Sequence, residues 1–301
     1  MFGRLKQLLE MIRFSHTVFA LPFALLAAVM AWTAGAQSDP ATAWRWQELL
    51  GIILCMVTGR SVAMALNRIA DRRIDAENPR TAGRHLPSGA ISLGSAVAFA
   101  IVCGTGFVLS TLLFLPNRLP VYLAIPVLAF LWGYSYTKRF TWLAHFWLGA
   151  VLMLAPVSAW VAIRGAAVLA GPSDLLPAWV LGGAVMLWVA GFDMIYACQD
   201  AEFDVRRGLQ SVPARWSVRG ALRAAAACHA GTLVLLLLLP WAFPYLGWLY
   251  TAGVLGVAML LIYEHAVVRP DDLTRVNVAF FQVNAIISIG LLVVGAIDLW
   301  M

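Results

Sequence analysis

Charged residues are scarce in this sequence of 301 residues: Asp, Glu, Lys and Arg together account for 12% of it, against about 25% in soluble domains. Hydrophobic residues, in contrast, reach 62%. So few charges cannot cover a surface that faces water, and a soluble globular protein is therefore excluded. The composition predicts a chain solvated by lipid, in which each span needs about 20 apolar residues to cross the membrane.

Cysteine is also rare. The four cysteines lie inside or at the edge of apolar runs, without a CxxC pair or a histidine at metal-binding spacing: Cys55, Cys103, Cys198 and Cys228. This pattern excludes a disulfide framework and indicates small buried apolar side chains. The formal net charge of +6 does not indicate nucleic-acid binding, because the basic residues form short clusters between apolar runs.

Apolar runs predict an all-α membrane protein with nine transmembrane helices in a single domain, residues 1–301. The runs cover about residues 17–36, 48–67, 91–114, 119–137, 141–163, 176–198, 218–240, 244–264 and 274–300. The first run follows an amphipathic basic segment and is long enough to remain as a span.

Basic residues are distributed unevenly between the two sets of loops. The loops on the side opposite the N-terminus contain only Arg45, Arg118 and Arg164, and Arg60 lies within a span; every other Lys and Arg is on the N-terminal side. Because basic residues collect in cytoplasmic loops, the N-terminus is predicted to be cytosolic. The protein is predicted to lie in a bacterial inner membrane.

Two connections on the predicted cytosolic side, about residues 68–90 and 199–217, are long, polar and rich in charge. Binding and catalytic residues concentrate in loops that a rigid scaffold holds. We therefore expect the functional site at this side of the membrane.

A row of polar side chains leads into the first of these loops. Asn67, Asp71 and Asp75 are four residues apart, which places them on one helix face if the span continues past residue 67. Arg60 lies on nearly the same stripe, deeper in the membrane. This cluster is the first candidate site.

The second loop begins with a similar row. Asp200 and Asp204 repeat the spacing of four residues, and Asp193 and Tyr196 extend their face towards the membrane interior. A charge such as that of Asp193 is costly within a span and is therefore a functional candidate.

Neighbouring carboxylates on a helix repel each other unless a cation lies between them. Magnesium suits such oxygens, because it binds one or two carboxylates together with substrate phosphates. The two clusters facing each other therefore predict a magnesium-dependent diphosphate site. The structural alternative is a pair of solvated helix ends whose acids pair with nearby arginines: Arg72, Arg73, Arg206 and Arg207.

Basic side chains near the clusters fit a diphosphate ligand. Arg80 and Arg84 follow the first cluster, and Lys138 and Arg139 end the fourth span. Arginine forks and lysine charges commonly bind phosphate groups. The same residues are also ordinary topology signals at helix ends.

Three segments occur together in this order: Asn67-x3-Asp71-x3-Asp75 with Arg80-Thr81-x2-Arg84-x-Leu86-Pro87-Ser88-Gly89; Tyr134-x-Tyr136-Thr137-Lys138-Arg139; and Asp193-x2-Tyr196-Ala197-x-Gln199-Asp200-x3-Asp204. They resemble the signatures of the UbiA superfamily of intramembrane aromatic prenyltransferases. The number of helices and the position of the acidic loops also resemble that family, so the resemblance covers essentially the whole chain.

The resemblance implies Mg²⁺-dependent transfer of a polyprenyl group from its diphosphate to a small aromatic acid, in quinone biosynthesis. By resemblance, magnesium and diphosphate are held by one set of residues: Asn67, Asp71, Asp75, Asp200 and Asp204. The resemblance also implies that Arg84, Lys138 and Arg139 bind or neutralise the leaving diphosphate. Asp193 and Tyr196 lie nearer the reacting carbon. The partners are then the two substrates and the lipid bilayer, with the oligomeric state open.

The resemblance leaves the acceptor open between two kinds of aromatic acid. Many hydroxybenzoate-specific members have Arg-Pro-Leu-Pro where this chain has Arg84-His85-Leu86-Pro87. Residues 211–215 resemble a branch whose acceptor is a dihydroxynaphthoate, in menaquinone synthesis. Arg13 and Arg60 are candidates for binding the acceptor carboxylate, and His16 and His85 are candidates for removing the ring proton.

A transporter is the alternative from another class of protein. Asp193 and Asp298 inside apolar runs would suit a proton-coupled carrier, which requires charges near the middle of the bilayer and broken helices. The acidic clusters lie at span ends instead, which favours the enzyme.

Overall fold

The computed structural model describes residues 2–12, 18–38 and 44–301. These residues form helices almost throughout, with short 3₁₀ and π-helical turns and one isolated β-bridge between Arg269 and Asp272. The helices are α1 (Phe2–Met11), α2 (Leu21–Ser38), α3 (Trp46–Glu77), α4 (Leu93–Ser110), α5 (Leu119–Thr137), α6 (Ala144–Ala170), α7 (Leu176–Ala197), α8 (Ala201–Arg207), α9 (Val212–Ala242), α10 (Trp248–Val267), α11 (Val276–Val278) and α12 (Asn284–Trp300).

Within the described ranges, eight helical segments are long and apolar enough to cross a membrane, and α2 contributes one shorter apolar segment. These nine segments correspond to the nine predicted spans. The prediction of an all-α polytopic membrane protein is therefore confirmed.

The helix α3 is longer than a membrane span requires. Its 32 residues extend over about 48 Å, whereas the hydrocarbon core is about 30 Å thick. It ends at Glu77 because Asn78 precedes Pro79 and adopts an extended conformation. The prediction of a loop over 68–90 is therefore wrong in its first part, and the expected helical face of Asn67, Asp71 and Asp75 is present.

The predicted loop 199–217 is also mostly helical. After α7 the chain makes a 3₁₀ turn, Cys198–Asp200, and continues into α8. Gly208, with φ of 68°, ends α8 in the left-handed conformation that glycine favours. Only residues 208–211 separate α8 from α9, and this tight turn returns the chain to the acidic clusters.

The helix α9 has a break near its start. Ser211 caps its first turn by accepting a hydrogen bond from the backbone of Ala214, and Ser217 interrupts the helix with φ of 63°. The long apolar part of α9 begins after this break, at residue 218, where the sequence predicted the seventh span to start.

Close packing of α6 on α7 forms the centre of the bundle. A Cβ atom built on Gly149 would overlap the carbonyl oxygen of Met186, and one on Gly182 would lie 2.9 Å from Cγ of Met153. Small residues at such crossings allow the backbones of membrane helices to approach each other. This contact sets the spacing of the two helices that carry His145 and Asp193.

We expect Gly149→Ala to destabilise the protein by about 1–3 kcal/mol, because the added methyl group meets backbone that cannot rotate away. The measurement is the midpoint of thermal unfolding in detergent. Gly256→Ala is the matched control, since a Cβ there meets no heavy atom within 4 Å. Equal midpoints for the two variants would contradict the close approach.

The opposite end of the bundle is held by ionic contacts between helix ends. Arg164, where α6 departs from helical geometry, forms a salt bridge with Asp174, and Trp160 donates to the same carboxylate at 3.0 Å. Asp298 accepts hydrogen bonds from the backbone N–H groups of Gly247 and Leu249 and so caps the start of α10. Asp298 is therefore a capping residue at a helix end.

Candidate active site

The acidic clusters face a polar cavity of about 260 Å³ at one end of the bundle. Every predicted site residue within the described chain lines this cavity, except Arg139 and the candidate proton acceptor His85. The lining set is Arg60, Asn67, Asp71, Asp75, Arg80, Arg84, Lys138, Asp193, Tyr196, Asp200 and Asp204. Arg13 and His16 lie outside the described residues. The cavity thus brings together residues that are distant in the sequence.

The first cluster is fixed by hydrogen bonds on α3 and from α5. Asn67 donates to Asp71 Oδ2 at 3.1 Å, and Arg139 donates to Asp71 Oδ1 at 3.2 Å. Arg84 donates to Asp75 Oδ1 at 2.7 Å. Arg139 also bonds the carbonyl of Ala70, so it contacts Asp71 from outside the cavity. Arg139 thus lies beside the cluster and not on the cavity wall, and its role in binding the diphosphate stays a prediction.

The second cluster is joined to the first by residues of the loop after α3. Asn78 donates to Asp200 Oδ1 at 2.9 Å, and Arg80 donates to the same carboxylate through Nε at 2.8 Å and through Nη2. A third Arg80 nitrogen donates to the Tyr196 hydroxyl at 3.0 Å. Partial burial lowers the pKa of Arg80, but the hydrogen bond and charge of Asp200 outweigh burial and raise it. Arg80 therefore stays charged and binds the loop after α3 to the second cluster.

If the clusters were two solvated helix ends, their acids would pair with nearby arginines. Those arginines form other contacts. Arg207 forms its salt bridge with Glu77 on the surface, and Arg72 donates to a backbone carbonyl on α3. Within the described chain no salt bridge joins Arg72, Arg73, Arg206 or Arg207 to a cluster aspartate. The acids are directed into the cavity and held by cavity residues, which is not the arrangement of two solvated helix ends.

Two cations on the cavity wall form no salt bridge among the described residues, although the charge of Lys138 acts on the nearby acids Asp71, Asp200 and Asp204. Lys138 forms neither a hydrogen bond nor a salt bridge through its side chain there, and Arg60 is likewise unpaired. The Arg60 Nε atom is fully buried without a hydrogen-bond acceptor. A buried unpaired cation is costly, so these two groups provide positions for an anionic ligand.

The donor atoms of the clusters fit a magnesium ion that arrives with a ligand. Asp75 Oδ2 is buried and has no hydrogen-bond partner in the described chain, and the surrounding donors are carboxylate and amide oxygens. No group of three or more His, Cys, Asp or Glu side chains in that part of the chain is close enough to hold a metal unaided. This agrees with the usual coordination of magnesium by one or two carboxylates together with phosphate oxygens.

A second cavity, of about 270 Å³, continues from the first into the membrane-spanning part of the bundle. It is lined almost entirely by apolar side chains of α2 to α6. The two cavities share five residues: Arg60, Met64, Tyr134, Leu148 and Leu152. A ligand with an anionic head and a long hydrocarbon tail matches this pair of cavities.

Aromatic rings form one wall of the polar cavity. Phe280 lies in the π-helical turn Ala279–Val283, a feature that often occurs at functional sites. Its ring centroid lies 4.4 Å from that of Tyr196, 5.3 Å from Phe192 and 5.5 Å from Phe19. The negative faces of such rings can stabilise a nearby cation.

Comparison with known proteins agrees with the site geometry. The model of the UbiA prenyltransferase family matches residues 15–286. The chain belongs to this family. It is 29% identical over 238 residues to the 4-hydroxybenzoate octaprenyltransferase of Alcanivorax borkumensis, which covers 79% of this chain and 77% of the relative.

Solved structures of UbiA homologues share the fold. The apo structure of a homologue from Aeropyrum pernix is 32% identical, covers 96% of this chain and 99% of its own, and superposes with a TM-score of 0.82. A homologue from Archaeoglobus fulgidus, solved bound to DMAPP and Mg²⁺, is 17% identical, covers 98% and 99%, and gives a TM-score of 0.63. The second likeness concerns the fold alone.

Family membership leaves the transporter alternative without support. Of the two acids on which it rested, Asp298 caps α10 at a helix end and Asp193 lines the polar cavity.

Two residues of this UbiA-type site were missed by sequence reasoning. His145 lines the cavity and contacts Asp193 at 2.7 Å, and Asn78 joins the loop after α3 to Asp200. A histidine inside the apolar run 141–163 was a signal for the first, because polar residues are costly there. His85, in contrast, does not line the cavity and lies 3.8 Å from Glu10, so the structure does not place it among the residues of this site.

Proposed function

We propose that the protein transfers a polyprenyl group from its diphosphate to a small hydroxylated aromatic acid, with 4-hydroxybenzoate as the acceptor. One observation carries this proposal: a polar cavity lined with carboxylates and cations opens directly into an apolar cavity at Arg60 and Tyr134. The named relatives, 4-hydroxybenzoate octaprenyltransferases, support the acceptor. The reaction belongs to quinone biosynthesis in a bacterial inner membrane, with the polar cavity on the cytosolic side.

The diphosphate occupies the polar cavity in this proposal. Asn67, Asp71, Asp75, Asp200 and Asp204 would hold Mg²⁺, an ion that the solved homologue of Archaeoglobus fulgidus also binds. The bound ion would neutralise negative charge on the diphosphate oxygens.

The chain's own cations bind the leaving group. Lys138, which forms no salt bridge in the described residues, and the forks of Arg80 and Arg84 face the same space. Negative charge grows on the bridging oxygen as the allylic carbon–oxygen bond breaks, and prearranged cations stabilise it there. The isoprenoid tail extends into the apolar cavity, and the aromatic wall formed with Tyr196 and Phe280 faces the allylic cation.

Arg60 binds the acceptor carboxylate in this proposal. It is the unpaired cation at the junction of the two cavities, so an aromatic acid bound to it lies beside the start of the prenyl chain. A fork-like guanidinium suits a planar carboxylate. Arg13, the other candidate, lies outside the described residues.

Replacing Arg60 and replacing Lys138 are expected to have opposite effects on the KM values of the two substrates. Arg60→Met should raise the KM for the acceptor by about 10- to 100-fold, the loss of a charged hydrogen bond of about 1.5–3 kcal/mol. The KM for prenyl diphosphate should change less than about 2-fold. Lys138→Met, the matched control, should show the reverse pattern. Initial rates in membranes measure both, and the same pattern in both variants would refute the assignment.

A dihydroxynaphthoate is the second candidate acceptor. The segment 211–215 resembles a menaquinone-pathway branch, and its Ser211 lines the polar cavity. Both acceptors are small carboxylated phenols, so Arg60 serves either of them.

The test is a prenyl-transfer assay in membranes that contain the protein. One long polyprenyl diphosphate is supplied with 4-hydroxybenzoate, with a dihydroxynaphthoate, or with both in equal amounts, and the products are identified by mass. We expect the prenylated hydroxybenzoate to dominate in the mixture. Dominance of the prenylated naphthoate would reassign the acceptor, and absence of both products would refute the proposed function.

A further inference from the structure

A histidine and an aspartate from different helices are joined on the wall of the polar cavity. His145, at the start of α6, lies with Nδ1 2.7 Å from Oδ2 of Asp193 on α7. The histidine is 4% exposed, whereas the aspartate side chain is 26% exposed and lines the cavity. The aspartate carboxylate is therefore accessible to a ligand in the cavity, whereas the histidine is buried behind it.

The second ring nitrogen fixes the protonation of this histidine. The backbone N–H of Val212 donates to His145 Nε2 at 3.3 Å. A backbone N–H can only donate, so Nε2 carries no proton and the imidazole is neutral. The proton must then lie on Nδ1, which donates it to Asp193. Val212 is in the first turn of α9, where backbone N–H groups have no partner within the helix.

Asp193 differs from the other acids of the cavity in its partner. Asp71, Asp75 and Asp200 each bond an arginine, and an opposite charge opposes protonation of a carboxylate. Asp204 has no arginine partner, but it is only 4% exposed and is hydrogen-bonded to Ser211. The partner of Asp193 is a neutral ring, and its second oxygen forms no hydrogen bond within the described chain. Asp193 is also two helical turns before Asp200, about 10 Å deeper along the axis.

We infer that Asp193 accepts the proton released from the acceptor ring, and that His145 is a positioning residue that holds this carboxylate in place through a fixed neutral tautomer. The inference rests on the proposed function, since it assigns a role within that reaction.

The proton transfer completes a balanced reaction. The allylic carbon–oxygen bond breaks and its electron pair leaves with the diphosphate. A new carbon–carbon bond forms between the allylic carbon and the ring carbon next to the phenol hydroxyl. The hydrogen on that ring carbon passes as a proton to the free oxygen of Asp193, which restores the aromatic ring. The proton then returns to water through the polar cavity.

The test compares His145→Ala with His145→Gln. A glutamine amide can accept from Val212 with its oxygen and donate to Asp193 with its nitrogen, so it reproduces the hydrogen bonds without titrating. We expect a fall in kcat of about 10- to 100-fold for alanine, the usual loss when a supporting partner is removed. The glutamine variant should retain kcat to within about 3-fold.

An isotope effect distinguishes this role from a general loss of structure. The acceptor is 4-hydroxybenzoate that carries deuterium at both ring positions next to the hydroxyl, or the correspondingly labelled naphthoate if the unmodified enzyme prefers it. Removal of the proton should become rate-limiting in His145→Ala and Asp193→Asn, with a rate ratio of about 2 or more. The ratio should stay near unity in the unmodified enzyme and in His145→Gln.

His85→Gln is the control, because this histidine lies outside the cavity; its rate and isotope effect should equal those of the unmodified enzyme. A slow His145→Ala without an isotope effect, or a glutamine variant as slow as alanine although its melting temperature is unchanged, would overturn the inference. If the unmodified enzyme prenylates neither acceptor, the proposed function fails, and the inference falls with it.

Discussion

Asp71→Ala and Asp200→Ala are each expected to lower prenyl transfer in membranes by at least on the order of 10²–10³-fold, the loss that follows removal of one electrostatic contact to the reacting group. Expression and insertion should change little, because both side chains face a cavity and neither belongs to the apolar packing of the bundle. The measurement is product formation per amount of membrane-inserted protein.

The expected loss has two causes in each variant. The carboxylate oxygen that would help to hold the metal-bound diphosphate is removed. In addition, the arginine that bonds each acid, Arg139 for Asp71 and Arg80 for Asp200, loses its carboxylate partner. Arg80 also bonds Tyr196, so the second variant should disturb the aromatic wall as well.

Isosteric variants separate these causes. Asp71→Asn and Asp200→Asn keep the size and part of the hydrogen bonding but lose the charge, and they should be as inactive as the alanine variants. Glu77→Ala is the control: this acid is on the same helix end as Asp71, but it is half exposed and pairs with Arg207 on the surface. It should retain activity to within about 2-fold. Full activity of the asparagine variants would show that charge at these positions is dispensable.

The arrangement of each cluster along its own helix was predictable from the sequence. Spacing of four residues places side chains on one helix face whatever their surroundings, and α3 continues far enough beyond the membrane to carry Asp71 and Asp75. The apolar runs likewise marked the spans, because hydropathy is a property of each segment by itself. The break at Ser217, next to the predicted start of the seventh span, reflects the same change in composition.

Contacts between helices could not be predicted in this way. Arg80 bonds Asp200 across 120 positions of the sequence, and nothing in the local spacing distinguishes it from Arg72 or Arg73. The choice is made by the turn after Pro79, which directs residue 80 back over the cavity. The role of His145 could not be predicted either, because it depends on contacts with Asp193 and Val212, which lie on two other helices.

The choice of aromatic residues also required the tertiary structure. With 13 Trp and 15 Phe in the chain, composition offered no reason to prefer Phe280 or Phe192. A π-helical turn shifts the register of side chains within a helix, and here that turn contains Phe280, whose ring contacts Tyr196. Sequence periodicity alone does not reveal such a shift.

Removal of magnesium is expected to abolish activity completely. Washing the membranes with EDTA should reduce prenyl transfer to background, and added Mg²⁺ should restore it. Calcium should restore less activity, because Ca²⁺ is larger than Mg²⁺ and prefers more oxygen ligands than the two acidic clusters and a diphosphate can provide. Robust turnover in metal-free membranes would refute the diphosphate role of both clusters.

The same treatment should leave the thermal stability of the detergent-solubilised protein unchanged. Without a metal, Asp71, Asp75 and Asp200 already have arginine partners, so their charges are compensated and the helices that carry them remain in place. A structural metal behaves in the opposite way, since its binding free energy becomes folding free energy. Loss of activity at constant melting temperature would therefore identify the ion as one that enters with the substrate, whereas a parallel fall in both would show that the arginine contacts are insufficient to hold the acidic clusters.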